Sequence, residues 1–257
     1  SFYISSFRFL TCDQMHDQHS LNVDGIKIAL DDATSDVCFV SHAHSDHTDA
    51  FRKNRKIIAS EETFTLMGRE LCSHPAPHSV KLHAAGHMLG ARQISAETDN
   101  GKFAYTGDFA LHDSHTAPAA EILQCDTLMI DSTYCLPNYR FPKRGSVLRD
   151  MRNFVKANEE SIVVFGAYVR GKSQEMVKFL NDDCYIAPIV SAPAAKICSY
   201  YEKCGVKLDY IAAGTPESEE AMKHPFVAVM PSSIVNFSFG SGLSERLRQL
   251  SQPAGRL

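Results

Sequence analysis

At 257 residues, 44% hydrophobic and 22% charged, with a net charge of −4, the chain has the makeup of one large globular domain or two modest ones. That balance excludes a generally sticky polycation, though not a local basic groove, and no run approaches the roughly eighteen apolar residues of a membrane span. Eight cysteines without a CxxC pair read as reduced thiols, and SFYISSFRFL (1–10) lacks the basic start and long apolar core of a secretory signal, so a cytoplasmic setting is expected, or a nuclear one in a eukaryote.

In chain order, short strands are expected at 26–30, 37–41, 56–60, 80–84, 92–97, 102–106 and 127–131, with a helix over 61–71. From about residue 140 the texture changes. Helices are expected at 146–160, 172–182, 191–205 and 243–250, around buried-type strands at 161–165 and 225–231. Strand–helix alternation predicts a parallel sheet there. The Pro-punctuated stretch CLPNYRFPKRG (135–145) marks the boundary between the two textures.

The strongest chemical signal is SHAHSDH (41–47), which sets His42, His44, Asp46 and His47 directly after an apolar strand. Imidazole suits zinc, and a carboxylate serves as ligand or general base. Two histidines two apart cannot share a helix face, but they can in an extended segment or loop. A solvated polar turn is the bland alternative; the density of ligands after VCFV favours metal. Further ligands at strand ends are His87 in AGHMLGA (85–91), Asp108 in YTGDF (105–109) and Asp31 after IKIAL (26–30).

HxHxDH, then GHxLGA, then TGDF, in this order and spacing, resembles the metallo-β-lactamase superfamily. IDSTYCLPNYRFPKR (130–144) narrows the likeness to the β-CASP nucleases, both the archaeal mRNA 3′-end-processing branch and the SNM1 DNA-repair branch. The resemblance runs over roughly 24–180. It implies an α/β (α+β) fold, an αββα sandwich with an inserted β-CASP α/β domain: sandwich in 1–139, β-CASP domain in 140–231, and a return to the sandwich in 232–257.

By position, the resemblance implies that His42, His44 and His87 hold one Zn2+, that Asp46 and His47 bind a second, and that Asp108 bridges. Mn2+ is an alternative ion. Asp31 would be the structural acid behind the metal loop and Asp131 the β-CASP acid. The ions would activate and orient a water for attack on phosphorus, and Asp46, Asp131 or Asp108 would serve catalysis, with a proton moved by Asp46 or Asp131. The family carries a last ligating His near its C-terminus. Residues 236–257 contain none, so the first metal position is the one the sequence equips fully.

The implied activity is a zinc-dependent nuclease, with RNA processing ahead of a DNA-repair 5′ exonuclease. A small-molecule metallo-hydrolase and an inactive scaffold subunit are the readings from other classes. The expected partners are single-stranded RNA or DNA and a second copy in a homodimer, with no membrane. Basic clusters lie at FRKNRK (51–56) and YRFPKRGSVLRDMR (139–152). The second, with Arg140, Lys143 and Arg144 among Tyr139 and Phe141, suits a groove that tracks phosphates and stacks bases.

GAYVRGKS (166–173) has the letters of a P-loop after an apolar run. Bulky residues at its variable positions fit a phosphate cradle poorly, and the apolar-run-then-Asp segment TLMID lies upstream rather than downstream of it. No ATP or GTP is therefore expected. A Gly at a helix start beside Lys172 and Ser173 remains an anion seat, here for a nucleic-acid phosphate. The scattered Cys12/His16/His19, Cys72/His74/His78, His112/His115 and His224 read as surface or loop residues.

Overall fold

A computed structural model describes residues 19–235. The first sheet has the order β1 (Ser20–Val23), β2 (Ile26–Leu30), β3 (Val37–Phe39), β4 (Lys56–Ile58). Strands β1 and β2 form a hairpin whose two turn residues, Asp24 and Gly25, have φ of 52° and 74°, as a tight type I′ connection demands. The other pairs are parallel. Helices α1 (Asp49–Arg52) and α2 (Glu61–Leu66) cover one face.

The second sheet has the order β5 (Val80–Ala84), β6 (Arg92–Thr98), β7 (Gly101–Tyr105), β8 (Thr127–Met129), antiparallel except for the last pair. The two sheets pack face to face because side chains alternate along the strands. Ile28, Leu30, Val37, Phe39 and Ile58 point inward to meet Ile94, Ala96 and Tyr105. Their neighbours Ala29, Cys38 and Ile57 point out to α1 and α2.

The third sheet is all parallel, in the order β11 (Ile211–Ala212), β10 (Ile189–Val190), β12 (Val227–Pro231), β9 (Val163–Ala167). Its helices are α3 (Arg144–Ala157), α4 (Lys172–Cys184), α5 (Ala192–Lys203) and α6 (Pro216–Ala221). The expected strand–helix alternation is therefore present. Two very short strands, β10 and β11, gave too little pattern to be read from sequence.

Several boundaries differ. The helix expected over 61–71 ends at Leu66, because Gly68 takes a φ of 64° and the amides of Gly68 and Arg69 close back onto Thr65 and Phe64. Residues 232–235, expected to begin the return to the sandwich, form α7 (Ser232–Val235) against β9 and β12. The helix expected at 243–250 lies outside the described residues, as do Cys12 and His16. The described helices cover the first and third sheets, so the second helical layer of an αββα sandwich is not among them. No described helix is long and apolar enough to cross a membrane.

Candidate metal centre

The sandwich brings three strand ends to one edge. The loop after β3 carries residues 41–47, the β5–β6 loop carries His87, and the turn after β7 carries Asp108. Gly107 makes that last turn: its φ is 53°, and an added Cβ would lie 2.6 Å from the Ser41 Cβ. One ligand atom each from His42, His44, His87 and Asp108 lies within 4.8 Å of the others.

The separations match a metal polyhedron. His42 Nε2 is 2.9 Å from His44 Nδ1, and His87 Nε2 is 3.2 Å from the same atom. Asp108 Oδ2 lies 3.8 Å from His42 Nε2 and 3.5 Å from His87 Nε2. Ligands at about 2.0–2.1 Å from a tetrahedral zinc are about 3.3 Å apart. The other oxygen of the carboxylate, Asp108 Oδ1, is 3.6 Å from His47 Nε2, which is itself 3.6 Å from Asp46 Oδ2. One carboxylate therefore faces two separate donor sets.

The outer nitrogens of these rings fix which inner nitrogens are free. Asp31 accepts from the Ser41 hydroxyl at 2.6 Å, so that hydroxyl in turn accepts from His42 Nδ1 at 2.9 Å. The backbone carbonyl of Arg170 can only accept, so His44 donates from Nε2 at 3.2 Å. Asp31 accepts from His47 Nδ1 at 2.8 Å. Each ring is thus protonated on its far side, leaving His42 Nε2, His44 Nδ1 and His47 Nε2 with lone pairs toward the cluster, as metal ligands need.

Asp31 is the hub of this support. It takes a φ of 52° at the end of β2 and also accepts from the Ser41 amide at 2.6 Å and the Tyr105 hydroxyl at 2.8 Å. Burial and this carboxylate hold the Tyr105 phenol far above its ordinary pKa.

Burial lowers the pKa of His42, His44 and His87, that of His87 to about 4, with the neighbouring imidazoles adding to the effect at His42 and His87. His47 is the exception. Burial opposes its charge, but the hydrogen bond and charge of Asp31, with Asp108 and Asp46, hold its pKa above the usual value. Burial raises Asp108, partly offset by His47. Neutral imidazoles around a half-buried carboxylate are the donor chemistry a zinc ion takes.

Asp131 is not in the donor cluster. Its carboxylate accepts from the Thr133 amide at 2.9 Å and hydroxyl at 2.7 Å, a turn-capping arrangement, while its charge acts on His87 and Asp108. Lys172 is also close enough to act electrostatically on His87, and its Nζ pairs with Glu175 at 2.6 Å. Arg144 pairs with the same carboxylate. Arg140 and Lys143 are exposed.

Ser173 is a correction. It is 1% exposed and its hydroxyl donates to the Tyr168 carbonyl at 2.7 Å, so it is unavailable to a nucleic acid. Within the P-loop-like stretch, the Gly171 amide donates to Gln174 Oε1 and the Ser173 amide to the Tyr168 carbonyl. Two of the amides that a phosphate cradle would use are committed. In 51–56, Arg52 pairs with Asp49 and Arg55 with Asp36, so two of its four cations are paired. His115 pairs with Asp183 at 2.7 Å. The seven cysteines of the described residues are all free.

Sequence reasoning missed Ser41, Tyr105 and Arg170. Ser41 and Tyr105 open the stretches SHAHSDH and YTGDF and could have been found as polar side chains within them. Arg170 could not: its contribution is a backbone carbonyl to His44, and its guanidinium donates back to the Ala43 carbonyl. This reciprocal pair ties the metal loop to the β9–α4 loop.

No family model matches the chain. It is 31% identical over 186 residues to a protein of Opitutus terrae named as a probable DNA ligase, covering 65% of this chain and 18% of that protein. It is 28% identical over 233 residues to the mouse DNA cross-link repair 1A protein, covering 69% and 23% of the two chains. It is 27% identical over 218 residues to an RNase J-like protein of Methanocaldococcus jannaschii, covering 71% and 52%. The chain thus spans from about a fifth to about half of the length of these relatives. The metal-loop motifs, the donor cluster they build and these relatives converge: the chain is similar to the β-CASP nucleases of the metallo-β-lactamase superfamily.

Proposed function

We propose that this chain is the hydrolytic part of a zinc-dependent nuclease that cleaves phosphodiester bonds of single-stranded nucleic acid, with RNA in mRNA 3′-end processing as its first substrate. The observation that carries the reading is the position of Asp108, whose two oxygens face His42 and His87 on one side and His47 on the other. His42, His44, His87 and Asp108 would hold the first ion; Asp46 and His47, with Asp108, would hold a second. Such ions supply Lewis acidity, a lowered water pKa and charge neutralisation at phosphorus.

The chain's own residues do the rest. Asp31 and Ser41 keep the imidazoles oriented. Asp46, which is 78% exposed, stands where a proton can leave to solvent. Lys172 adds positive charge beside His87 for a phosphate of the strand.

A second reading, a DNA-repair 5′ exonuclease, is favoured by one specific observation. Two of the relatives carry DNA in their names, a cross-link repair protein and a probable ligase. The deciding experiment is cleavage of end-labelled single-stranded RNA and DNA, with zinc or manganese, by the natural chain, Asp46→Ala and His87→Ala. Cleavage of RNA in preference to DNA, lost in both variants, is expected. Preference for DNA selects the second reading, and activity that survives both substitutions refutes both.

A further inference from the structure

The segment from Asp131 to Arg144 is pinned beside the metal centre at both ends. The Asp131 amide donates to the Thr106 hydroxyl at 3.1 Å, two residues before Asp108. Arg144 reaches Glu175, which also binds Lys172; the preceding Gly171 stands against the metal loop, since a Cβ there would lie 3.3 Å from His44 Nε2. The chain between these ends carries three large rings into solvent: Tyr134 is 62% exposed, Tyr139 45% and Phe141 68%.

The rings are ordered against one another. Tyr139 and Phe141, two apart, are parallel within 8° at a centroid distance of 6.4 Å. Tyr134 stands edge-on to both, at 5.3 Å and 5.1 Å. Three mutually supported rings with open surface form an apolar patch of the kind that marks a binding site.

The charges around the patch identify its occupant. Arg140, Lys143 and Arg144 interleave with the rings, and no acid occurs between Asp131 and Asp150. Flat apolar faces among cations are complementary to a single strand, whose bases stack while its phosphates meet the cations. An apolar protein partner would not call for that charge. Tyr134 follows Asp131 by three residues, at most about 10 Å of extended chain, so a strand with a phosphate at the metal centre can reach the rings.

We propose that Tyr134, Tyr139 and Phe141 form a base-stacking platform that seats nucleobases of a single strand next to the scissile phosphate. Arg140 and Lys143 hold the flanking phosphates. The platform reads no sequence, since every base offers a ring face. This rests on the nuclease reading above and adds a binding site to it.

The test uses the chain in EDTA, so that nothing is cleaved, and a short oligonucleotide carrying 2-aminopurine. A strand of equal length with abasic residues throughout is the control. Stacking predicts quenching of 2-aminopurine on binding and an affinity for the intact strand about 5- to 100-fold above that for the abasic one. Tyr139→Leu and Phe141→Leu keep an apolar side chain at exposed positions, so the fold, and the zinc content before EDTA is added, should persist. In the double variant the intact strand should bind only as tightly as the abasic strand binds the natural chain. Equal affinity of the natural chain for the two strands overturns the platform while leaving the nuclease reading intact. Failure of both strands to bind also overturns the platform, and the nuclease reading is then decided by the cleavage assay above.

Discussion

His47 differs from its three neighbours in the sign of its pKa shift, and that difference has a measurable consequence. A proton and a metal compete for the same imidazole lone pair. His42, His44 and His87 are held below the ordinary imidazole value, His87 at about 4, so as pH falls their lone pairs stay available. His47 is held above it and charges first. On acidification the ion at Asp46 and His47 should leave before the ion at the three-histidine set. Metal content of dialysed protein against pH should fall in two steps, and a single step would contradict the assignment.

Asp31 supports His47 directly and His42 through Ser41. Asp31→Ala should weaken zinc binding by about 10- to 100-fold, the cost of losing such an orienting partner, as read by chelator competition. The cluster of His42, His44, His87 and Asp108 was legible because SHAHSDH sets two of its members in one strand-end loop and the other two follow at strand ends. Ser173 was misread because its letter sits in a phosphate-binding pattern, whereas its hydroxyl is committed to the Tyr168 carbonyl in the β9–α4 loop.

At the scale of elements, the β9–α4 loop matters more to the metal centre than its P-loop spelling implies. Gly171 has a φ of 83°, and a Cβ there would stand 3.3 Å from His44 Nε2, the nitrogen that donates to Arg170. Gly171→Ala should therefore lower zinc affinity. It should also destabilise the fold by on the order of 1–3 kcal/mol, the cost of forcing a side chain into that backbone region. Chelator competition and thermal unfolding check the two effects separately. The long strands and helices were readable from alternation and helical period. The ends were not: Gly68 stopped α2 early through a left-handed turn, and β10 and β11 are too short to show a period.

At the scale of the molecule, the core under the third sheet is shared. Ala43, Leu66, Ala85, Met88 and Ala91 from the sandwich pack in one cluster with Val177, Leu180, Ile197 and Tyr201. The two sheet systems should accordingly unfold in one cooperative transition. Leu180→Ala, at a fully buried position in α4, should lower stability by about 2–5 kcal/mol and shift that whole transition in calorimetry. Two separate transitions, with only one of them moved, would contradict a common core. Sequence alone placed a boundary near 135–145 but could not show that contacts cross it, because those contacts join residues eighty or more positions apart.

The most direct test of the central claim is zinc titration of the metal-stripped chain while cleavage of an end-labelled single strand is followed. Cleavage should be absent without metal, rise as the three-histidine set fills, and be lost in His87→Ala at every zinc concentration that leaves the protein folded. Cleavage that proceeds in the stripped chain, or that His87→Ala retains in full, would contradict the account.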